Sequence, residues 1–298
     1  MRSRIESLRR QYPFQGHFLD LNGLRLHYLD EGRGEPIVCV HGNPTWSFYF
    51  RNLVLALRYD YRLIVPDHIG CGLSHKPGDD RYEYVLDRRI DDLEALLDRL
   101  KLTSGVTLML HDWGGMIGMG VAVRRPERIK RLIILNTAAF RLPEGKRLPV
   151  RLRLIRSGGP LAALLVRSFN AFARGAAHMA VCKPLSHEIR AGYLTPYDSW
   201  GNRIATLRFV QDIPLDPSDR SYATVLHVEQ NLHRFRDLPM LICWGERDFV
   251  FDADFLSRWQ LHFPHAEVHS FPDAGHYVLE DAGHAVNSVI RDFMLMRN

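Results

Sequence analysis

The chain has 298 residues, is 46% hydrophobic, and carries a formal net charge of +5. This length is enough to bury one large core or two smaller ones, and no apolar run reaches the roughly 20 residues that a membrane-spanning helix needs. The basic N-terminal stretch MRSRIESLRRQYPF is followed by neither an apolar segment nor a small-residue cleavage site, which argues against a secretory signal. The sequence carries no nucleic-acid-binding motif, so we expect no nucleic-acid partner.

The four cysteines are far apart and include no CxxC pair. Cys39 and Cys243 lie inside apolar, strand-like runs. This usage is typical of reduced thiols, and it predicts a cytoplasmic protein without structural disulfides.

The first predicted elements form a hairpin, because HFLDLNG and LRLHYLD are joined by Asn22-Gly23, a dipeptide that suits a tight turn. Short apolar runs then alternate with segments of helical period. The predicted strands are PIVCVHG, RLIVPD, VTLMLHD and RLIILNT, and the predicted helices span 46–58, 83–100 and 114–125. This alternation predicts an α/β fold with a mostly parallel sheet and helices on both faces.

The alternation stops near Phe140 and resumes near Pro239 with MLICWGERD, a helix at 252–262, the strand of AEVHSFPDAGH and a helix at 280–296. The stretch between is helical, rich in arginine and interrupted by proline. We therefore predict a core made of residues 1–139 and 215–298, with residues 140–214 inserted as a helical cap. Open α/β proteins bind ligands at the sheet edge that such a cap would cover.

The cap has two features with more than one interpretation. Residues 140–175 hold seven arginines and Lys146 against Glu144 alone, which fits either a solvated face or contact with an acidic partner, an anionic substrate or a membrane surface. The stretch PLAALLVRSFNAFARGAAHMAV fits either packing of the cap onto the core or the lining of a channel for long alkyl chains.

The segment LMLHDWGGMIGMG, residues 108–120, is a predicted strand-to-helix corner. In serine hydrolases such a corner carries the pattern G-x-S-x-G and exposes a serine nucleophile. Here Asp112 takes the serine position and Leu110 replaces the first glycine. Asp112 is therefore a candidate nucleophile at a helix N-terminus, although an ordinary N-cap aspartate would explain it equally well if it stood alone.

Two further residues complete a candidate triad. Asp248 follows the strand of LICWGERD, and His276 lies in the loop after the next strand, in FPDAGHYVLED. The chain order of nucleophile, acid and histidine is the one used by hydrolases with a strand-to-helix nucleophile corner. We predict that Asp248 orients His276 and that His276 acts as a base or proton carrier.

The segment HGNPTW is a candidate anion-binding loop. The backbone N–H groups of Asn43 and Trp113, together with the amide and indole N–H groups of their side chains, could converge on a leaving anion. We interpret His41 and His111 as structural residues that fix loops. The remaining histidines lack metal-ligand spacing, so the sequence predicts no metal and no cofactor.

An aspartate nucleophile favours attack at a saturated carbon that bears a leaving group. A serine in that reaction would become an ether, whereas an aspartate becomes an ester, which can be released. The leaving group is then a halide, an epoxide oxygen or the ring oxygen of a β-lactone.

The motifs HGNPTWSFYFRNL, DHIGCGLS and HDWGG, the acid in WGERD and the histidine in AGH resemble the haloalkane dehalogenase and epoxide hydrolase branch of the α/β-hydrolase superfamily. The resemblance covers nearly the whole chain. It implies that Asn43 and Trp113 correspond to the halide-binding pair of the dehalogenases. One dehalogenase group has its catalytic glutamate at the position of Asn136, so the resemblance leaves Asp248 as the acid.

A narrower resemblance extends into the predicted cap. The segments VPDHIGCGLSHKPGDDRY, HDWGGMIGM, LNTAAF, PYDSWGNRIATLRFVQDIPL and LICWGERDFVFD are similar to the β-lactone decarboxylases of bacterial long-chain olefin biosynthesis. This implies conversion of a cis-3,4-dialkyl β-lactone to a cis-alkene and CO2, a hydrophobic substrate with long alkyl chains, and assembly with other olefin-biosynthesis enzymes. Attack at the saturated ring carbon and attack at the acyl carbon both remain open at this point.

Three other functions also remain open. A haloalkane dehalogenase would use His276 to activate water against the alkyl ester of Asp112. An epoxide hydrolase would need a proton donor such as Tyr193 or Tyr197. A non-catalytic scaffold is disfavoured because the triad and the donor pair are both intact.

Overall fold

The computed structural model describes residues 8–296 and contains one eight-stranded sheet with the strand order β1-β2-β4-β3-β5-β6-β7-β8. Residues 1–7, part of the basic N-terminal stretch, lie outside the described residues. Strand β2 pairs antiparallel with both β1 and β4, and the remaining pairs are parallel. The strands are β1 Gly16–Leu21, β2 Leu24–Gly32, β3 Pro36–Val40, β4 Arg62–Pro66, β5 Val106–Asp112, β6 Ile129–Thr137, β7 Met240–Gly245 and β8 Glu267–Phe271.

The predicted opening hairpin is confirmed. Gly16 pairs with Leu29 and Leu21 with Leu24, so β1 and β2 are joined by a two-residue turn. Asn22 and Gly23 have φ values of 54° and 84°. A turn with positive φ at both central residues matches the twist of the flanking strands, which is why Asn-Gly is preferred there.

Helices cover both faces of the sheet, as the alternating pattern predicts. The central strand β5 is buried along its whole length, so three apolar residues, Leu108, Met109 and Leu110, follow one another instead of alternating with polar ones. Its side chains still alternate: Leu108 and Leu110 join one core, and Met109 joins the other. The helices of the first half of the chain are α1 Arg51–Leu57, α2 Leu86–Arg99 and α3 Gly114–Arg124.

The long connection between β6 and β7 is helical, and no strand occurs in it, although it belongs entirely to the described part of the chain. Its first five helices occupy the sequence that we assigned to the cap, whereas the sixth packs against α3 on the sheet. The cap limits at 140 and 214 stay a prediction. These helices are α4 Val150–Arg156, α5 Pro160–Phe169, α6 Ala171–Met179, α7 His187–Leu194, α8 Ile204–Gln211 and α9 Tyr222–Asn231.

The last helices are α10 Ala253–His262, α11 Val278–Asp281 and α12 Gly283–Met296. The first of these lies where the sequence predicts it, and a break near Ala282 divides the predicted final helix in two. Within residues 8–296, none of the helices has the length and apolar character required to cross a bilayer.

Candidate active site

Asp112 lies at the carboxyl end of β5, where the chain turns sharply into α3. Its φ of 52° is in the left-handed region, which a non-glycine residue adopts only at a local cost. The turn leaves no room for side chains behind it, since a Cβ on Gly114 would lie 2.0 Å from the carbonyl oxygen of Val40. Trp113, not Asp112, is the N-cap of α3. The ordinary N-cap interpretation of Asp112 is therefore wrong.

Leu110 occupies the position where the serine-hydrolase pattern has glycine, and the structure explains how it fits. A Cβ on Gly118, one turn into α3, would lie 2.3 Å from Cδ2 of Leu110. The side chain of Leu110 therefore occupies the space that Gly118 leaves open on the helix, and strand and helix can still approach closely.

The carboxylate of Asp112 is held on two sides. Its Oδ1 accepts a 2.6 Å hydrogen bond from the backbone N–H of Asn43, and its Oδ2 lies 3.4 Å from Nε2 of His276. A Cβ at Gly42 would lie 1.8 Å from Oδ1, so the loop can approach the carboxylate only with glycine there. We predicted the Asn43 backbone N–H as a donor to a leaving anion, but here it binds the candidate nucleophile itself.

Asp248 and His276 meet as the sequence order predicts. Nδ1 of His276 lies 2.7 Å from Oδ2 of Asp248, and the other carboxylate oxygen accepts hydrogen bonds from the backbone N–H groups of Val250 and Phe251. Both side chains are buried. The acid, the imidazole and Asp112 thus form one continuous chain of contacts.

Asn136 contributes a support that the sequence did not reveal. Its amide N–H group donates to Oδ2 of Asp248 at 3.1 Å and to the carbonyl of Gly245 at 3.0 Å, and its Oδ1 accepts from the N–H of Gly245 at 2.8 Å. Asn136, at the position that the resemblance assigns to the glutamate of some dehalogenases, therefore helps to fix the carboxylate of Asp248.

Burial and charge act in opposite directions on His276 and Asp112. Burial favours the neutral imidazole, but the carboxylates of Asp248 and Asp112 outweigh it and raise the pKa of His276 to about 10. Burial likewise opposes ionisation of Asp112, yet its hydrogen bond to His276, the imidazolium charge and the Asn43 N–H together lower its pKa. Both shifts favour an imidazolium at His276 beside an ionised carboxylate at Asp112.

The side chains of Asn43 and Trp113 both border the cavity above Asp112. Nδ2 of Asn43 donates to the carbonyl oxygen of Thr206 in α8 at 3.1 Å, which uses one of its two N–H groups. The second N–H is left for a ligand. Trp113 packs edge-on against Phe209 of the same helix, with ring centroids 5.3 Å apart. The predicted donor pair is thus positioned partly by α8.

His111 and His41 lie beside the site but serve other contacts. Nε2 of His111 bonds the carbonyl oxygen of His276 at 2.9 Å, and burial lowers the pKa of His111 to about 3, so it is neutral. Nδ1 of His41 bonds the carbonyl of Gly42 at 2.7 Å, and its Nε2 accepts from the N–H of His68. These contacts agree with the structural role that we predicted for both.

The cap tyrosines do not meet the cavity. The hydroxyl of Tyr193 bonds the carboxylate of Glu280, and that of Tyr197 bonds the carbonyl of Thr45 at 3.4 Å. Neither residue lines the cavity that Asp112 faces. This placement does not support Tyr193 or Tyr197 as the proton donor that an epoxide hydrolase would need.

A largely apolar cavity of about 1000 Å³ opens above Asp112. Asp112, Trp113 and His276 lie at its base, and most of its lining residues belong to the segment 140–214, in loops as well as helices. Residues of the predicted cap stretch have both kinds of contact: Leu165 and Phe172 line the cavity, while Ala173 and Ala177 are buried. That the cavity takes long alkyl chains stays a prediction. Among residues 8–296, no cluster of three or more histidine, cysteine or acidic side chains is arranged to hold a metal ion.

This fold and site agree with the comparison to known families. Residues 35–283 match the family model described as the alpha/beta hydrolase fold. The chain belongs to the α/β-hydrolase family. The mostly parallel sheet and the sharp strand-to-helix corner after β5 are those expected of that family, and Asp112, Asp248 and His276 follow its order of nucleophile, acid and histidine as candidates for these roles.

Within the family, the chain is similar to two proteins named cis-3-alkyl-4-alkyloxetan-2-one decarboxylase. It is 58% identical to the one from Shewanella oneidensis over 283 residues, which is 95% of this chain and 89% of the relative. It is 46% identical to the one from Xanthomonas campestris, covering 95% and 97% of the two chains. The solved haloalkane dehalogenase DatA from Agrobacterium tumefaciens superposes with a TM-score of 0.84 at 26% identity, covering 95% and 97%.

Proposed function

We propose that this chain is a β-lactone decarboxylase, which converts cis-3,4-dialkyl β-lactones into cis-alkenes and CO2. The observation that carries the proposal is the carboxyl group of Asp112, which contacts His276 at the base of a large apolar cavity, in a chain whose relatives are named for decarboxylation of this ring. A β-lactone is an oxetan-2-one, so the substrate class follows the relatives' names. The cavity supports a hydrophobic ligand with long alkyl chains.

In the first step we propose that Asp112 attacks the saturated ring carbon that bears the ring oxygen. The bond between that carbon and the ring oxygen breaks, and its electron pair becomes part of a new carboxylate on the neighbouring carbon. The indole N–H of Trp113 and the second amide N–H of Asn43 are the donors available to this carboxylate. The carbon attacked is inverted and becomes an alkyl ester of Asp112.

In the second step the new carboxylate leaves as CO2. The electrons of the broken carbon–carbon bond form the alkene, and the bond between Asp112 and the attacked carbon breaks, which restores the aspartate. Inversion followed by anti elimination keeps the cis geometry. An aspartate suits this step because a carboxylate is a far better leaving group than the alkoxide that a serine would have to release.

No water is consumed and no proton is transferred in this cycle, so His276 is assigned a different task from the base of a hydrolase. As an imidazolium it balances the negative charge of Asp112 before attack and that of the new carboxylate afterwards. Asp248 keeps it protonated, and Asn136 holds Asp248 in place. A hydrolytic cycle would instead need a neutral imidazole to activate water.

A substrate comparison tests the proposal. Purified protein is given a cis-dialkyl β-lactone and, separately, a 1-bromoalkane of matched length, and alkene, CO2 and bromide are measured. We expect equal amounts of cis-alkene and CO2, and no bromide. Bromide without alkene would overturn the decarboxylase in favour of a haloalkane dehalogenase, which the Asn43–Trp113 pair also suits. If neither substrate gives a product and Asp112→Ala binds both equally well, the chain is a scaffold.

We also propose a cytoplasmic location, which the unpaired cysteines support. Assembly with other enzymes of olefin biosynthesis remains a proposal from the resemblance alone. It is tested by co-purification of the native protein from a producing cell, with the Asp112→Asn protein as a folded control. Recovery of the chain by itself, at its monomer mass, would contradict the assembly.

A further inference from the structure

The outer surface of the cap carries an unusual number of exposed apolar side chains. Helix α4 has no buried residue at all, and in α5 the exposed positions recur at helical spacing. Scattered exposed leucines are ordinary on a protein surface, whereas neighbouring ones form a patch that marks a binding face. We call this surface the cap rim; it consists of Val150, Leu154, Leu161, Leu164, Leu165 and Phe169.

The cap rim continues into the cavity above Asp112. Val150, Leu154 and Leu165 are solvent-exposed and also line the cavity. An apolar ligand that enters or leaves past these side chains would therefore remain on an apolar surface. Leu161 and Leu164 extend the patch outward without lining the cavity.

Cationic side chains lie beside the cap-rim residues along the chain, and two of them, Arg147 and Arg151, also line the cavity. Elsewhere in the cap, Arg141 is paired with Glu229 and Lys146 with Asp252. By contrast, four exposed arginines form no ion pair with an acidic side chain among residues 8–296. They are Arg147, Arg151, Arg153 and Arg174. Their charge is thus available to an external anionic partner.

We propose that the cap rim docks onto an anionic phospholipid bilayer. Leucine and phenylalanine side chains enter the boundary between headgroups and acyl chains, and the arginines bind the lipid phosphates while their aliphatic stems lie along the apolar surface. Apolar area and attraction to anionic lipid together are what hold amphipathic helices at a bilayer surface. The proposal that the protein docks depends only on the residues of this surface. That substrate and alkene pass between the bilayer and the cavity depends, in addition, on the proposed function.

Vesicle flotation with the full chain tests the docking without any substrate, so its outcome is independent of the enzymatic proposal. The probes are vesicles of phosphatidylcholine alone and vesicles with one third phosphatidylglycerol. We expect flotation with the anionic vesicles, weakened by salt, and little with the neutral ones. Failure to float with anionic vesicles at low salt would overturn the proposal.

A matched pair of variants tests the apolar part. Leu161→Ser/Leu164→Ser removes two rim leucines that do not line the cavity, and Leu261→Ser/Leu295→Ser removes two from other exposed helix faces; Leu161 and Leu261 are 67% and 66% exposed. We expect the rim variant to bind anionic vesicles about tenfold less well and to keep its activity on a short-chain lactone. The control should bind like the wild type. Equal binding of the two variants would exclude the cap rim as the contact.

Charge variants test the other part. Arg147→Gln/Arg151→Gln/Arg153→Gln is compared with Arg33→Gln/Arg81→Gln/Arg99→Gln, which lowers the net charge by the same amount at exposed positions outside the cap. We expect at least about tenfold weaker vesicle binding for the cap variant alone. If both triple variants lose binding equally, the attraction is only a net-charge effect. Salt-sensitive binding of polyglutamate, with no flotation, would instead identify an acidic protein as the partner.

Discussion

Nε2 of His276 lies 3.4 Å from Oδ2 of Asp112, and its Nδ1 lies 2.7 Å from Oδ2 of Asp248, so one buried imidazole is held between two carboxylates. This arrangement raises the pKa of the imidazole and lowers that of Asp112, the proposed nucleophile. An ionised Asp112 suits attack on a saturated carbon. The site would suit hydrolysis only after ester formation has removed the charge of Asp112.

Asp112→Asn replaces the carboxylate nucleophile with a neutral amide of nearly the same shape. We expect alkene formation to fall by at least about a thousandfold, as it does when a covalent nucleophile is lost. Lactone binding should persist because the cavity is unchanged. Gas chromatography of the alkene and equilibrium binding check the two parts. The control is Asp91→Asn, an equally conservative change on the exposed face of α2; a similar loss of activity there would undermine the role of Asp112.

The pKa of His276 should depend on its two neighbours. Because Asp248 and Asp112 together raise it to about 10, Asp112→Asn or Asp248→Asn should each lower it, as measured by NMR titration of the labelled imidazole. Protonated His276 stabilises the folded protein. This contribution is fully present at pH values below the pKa of histidine in the unfolded chain, and it is lost as the pH rises through about 10. The free energy of unfolding should therefore decrease between neutral pH and pH 10 in the wild type. A His276→Gln protein with the same decrease would contradict this assignment.

Asn136→Ala should weaken both stability and catalysis. It removes the acceptor of the buried Gly245 N–H, and an unsatisfied buried polar group costs about 1–3 kcal/mol. Oδ2 of Asp248 keeps its contact with His276 but loses the second donor that fixes its position. We expect a loss of that size in urea unfolding, a lower kcat and a nearly unchanged KM, since Asn136 does not line the cavity. Asn202→Ala, which removes an exposed amide contact to Asp198, is the control and should change neither quantity.

Chain-length preference should be set by the walls of the cavity. Gly175 of α6 lines it, and an added Cβ would meet only Cε of Met179, at 3.5 Å. Gly175→Leu should fill cavity space without disturbing the helix. We expect kcat/KM for long-chain lactones to fall about tenfold while short-chain lactones are affected little, given that a few methylene groups in an apolar pocket carry that much discrimination. Gly283→Leu, at an open position, serves as the control. Equal losses for all chain lengths would show that the cavity does not select by length.

Much of the site could be predicted from the sequence because it depends on local signals. A nucleophile directly after a buried strand, an acid after a later strand and a histidine after the next must meet at one edge of a parallel sheet. The fold class and the positions of Asp112, Asp248 and His276 follow from that rule.

The remaining parts depend on contacts between distant loops, which leave no local signal. The Asn43 N–H reaches Asp112 across 69 positions, Asn136 reaches Asp248 across 112, and His111 reaches the carbonyl of His276 across 165. From the sequence we predicted that the backbone N–H of Asn43 binds a leaving anion, because no sequence signal shows that this N–H already donates to Asp112. Likewise, the tyrosines at 193 and 197 could be excluded as proton donors only when their hydroxyls were found bonded elsewhere.

The most direct test of attack by Asp112 at the saturated carbon is the fate of the ring oxygen. A cis-dialkyl β-lactone labelled with oxygen-18 in the ring is mixed with excess enzyme, and the CO2 is swept out as it forms and analysed by mass spectrometry. We predict that all of the label leaves in CO2, and that the Asp112→Asn protein releases no labelled CO2. Unlabelled CO2, with the oxygen-18 left in the protein or in water, would mean that Asp112 attacks the acyl carbon and would contradict the account.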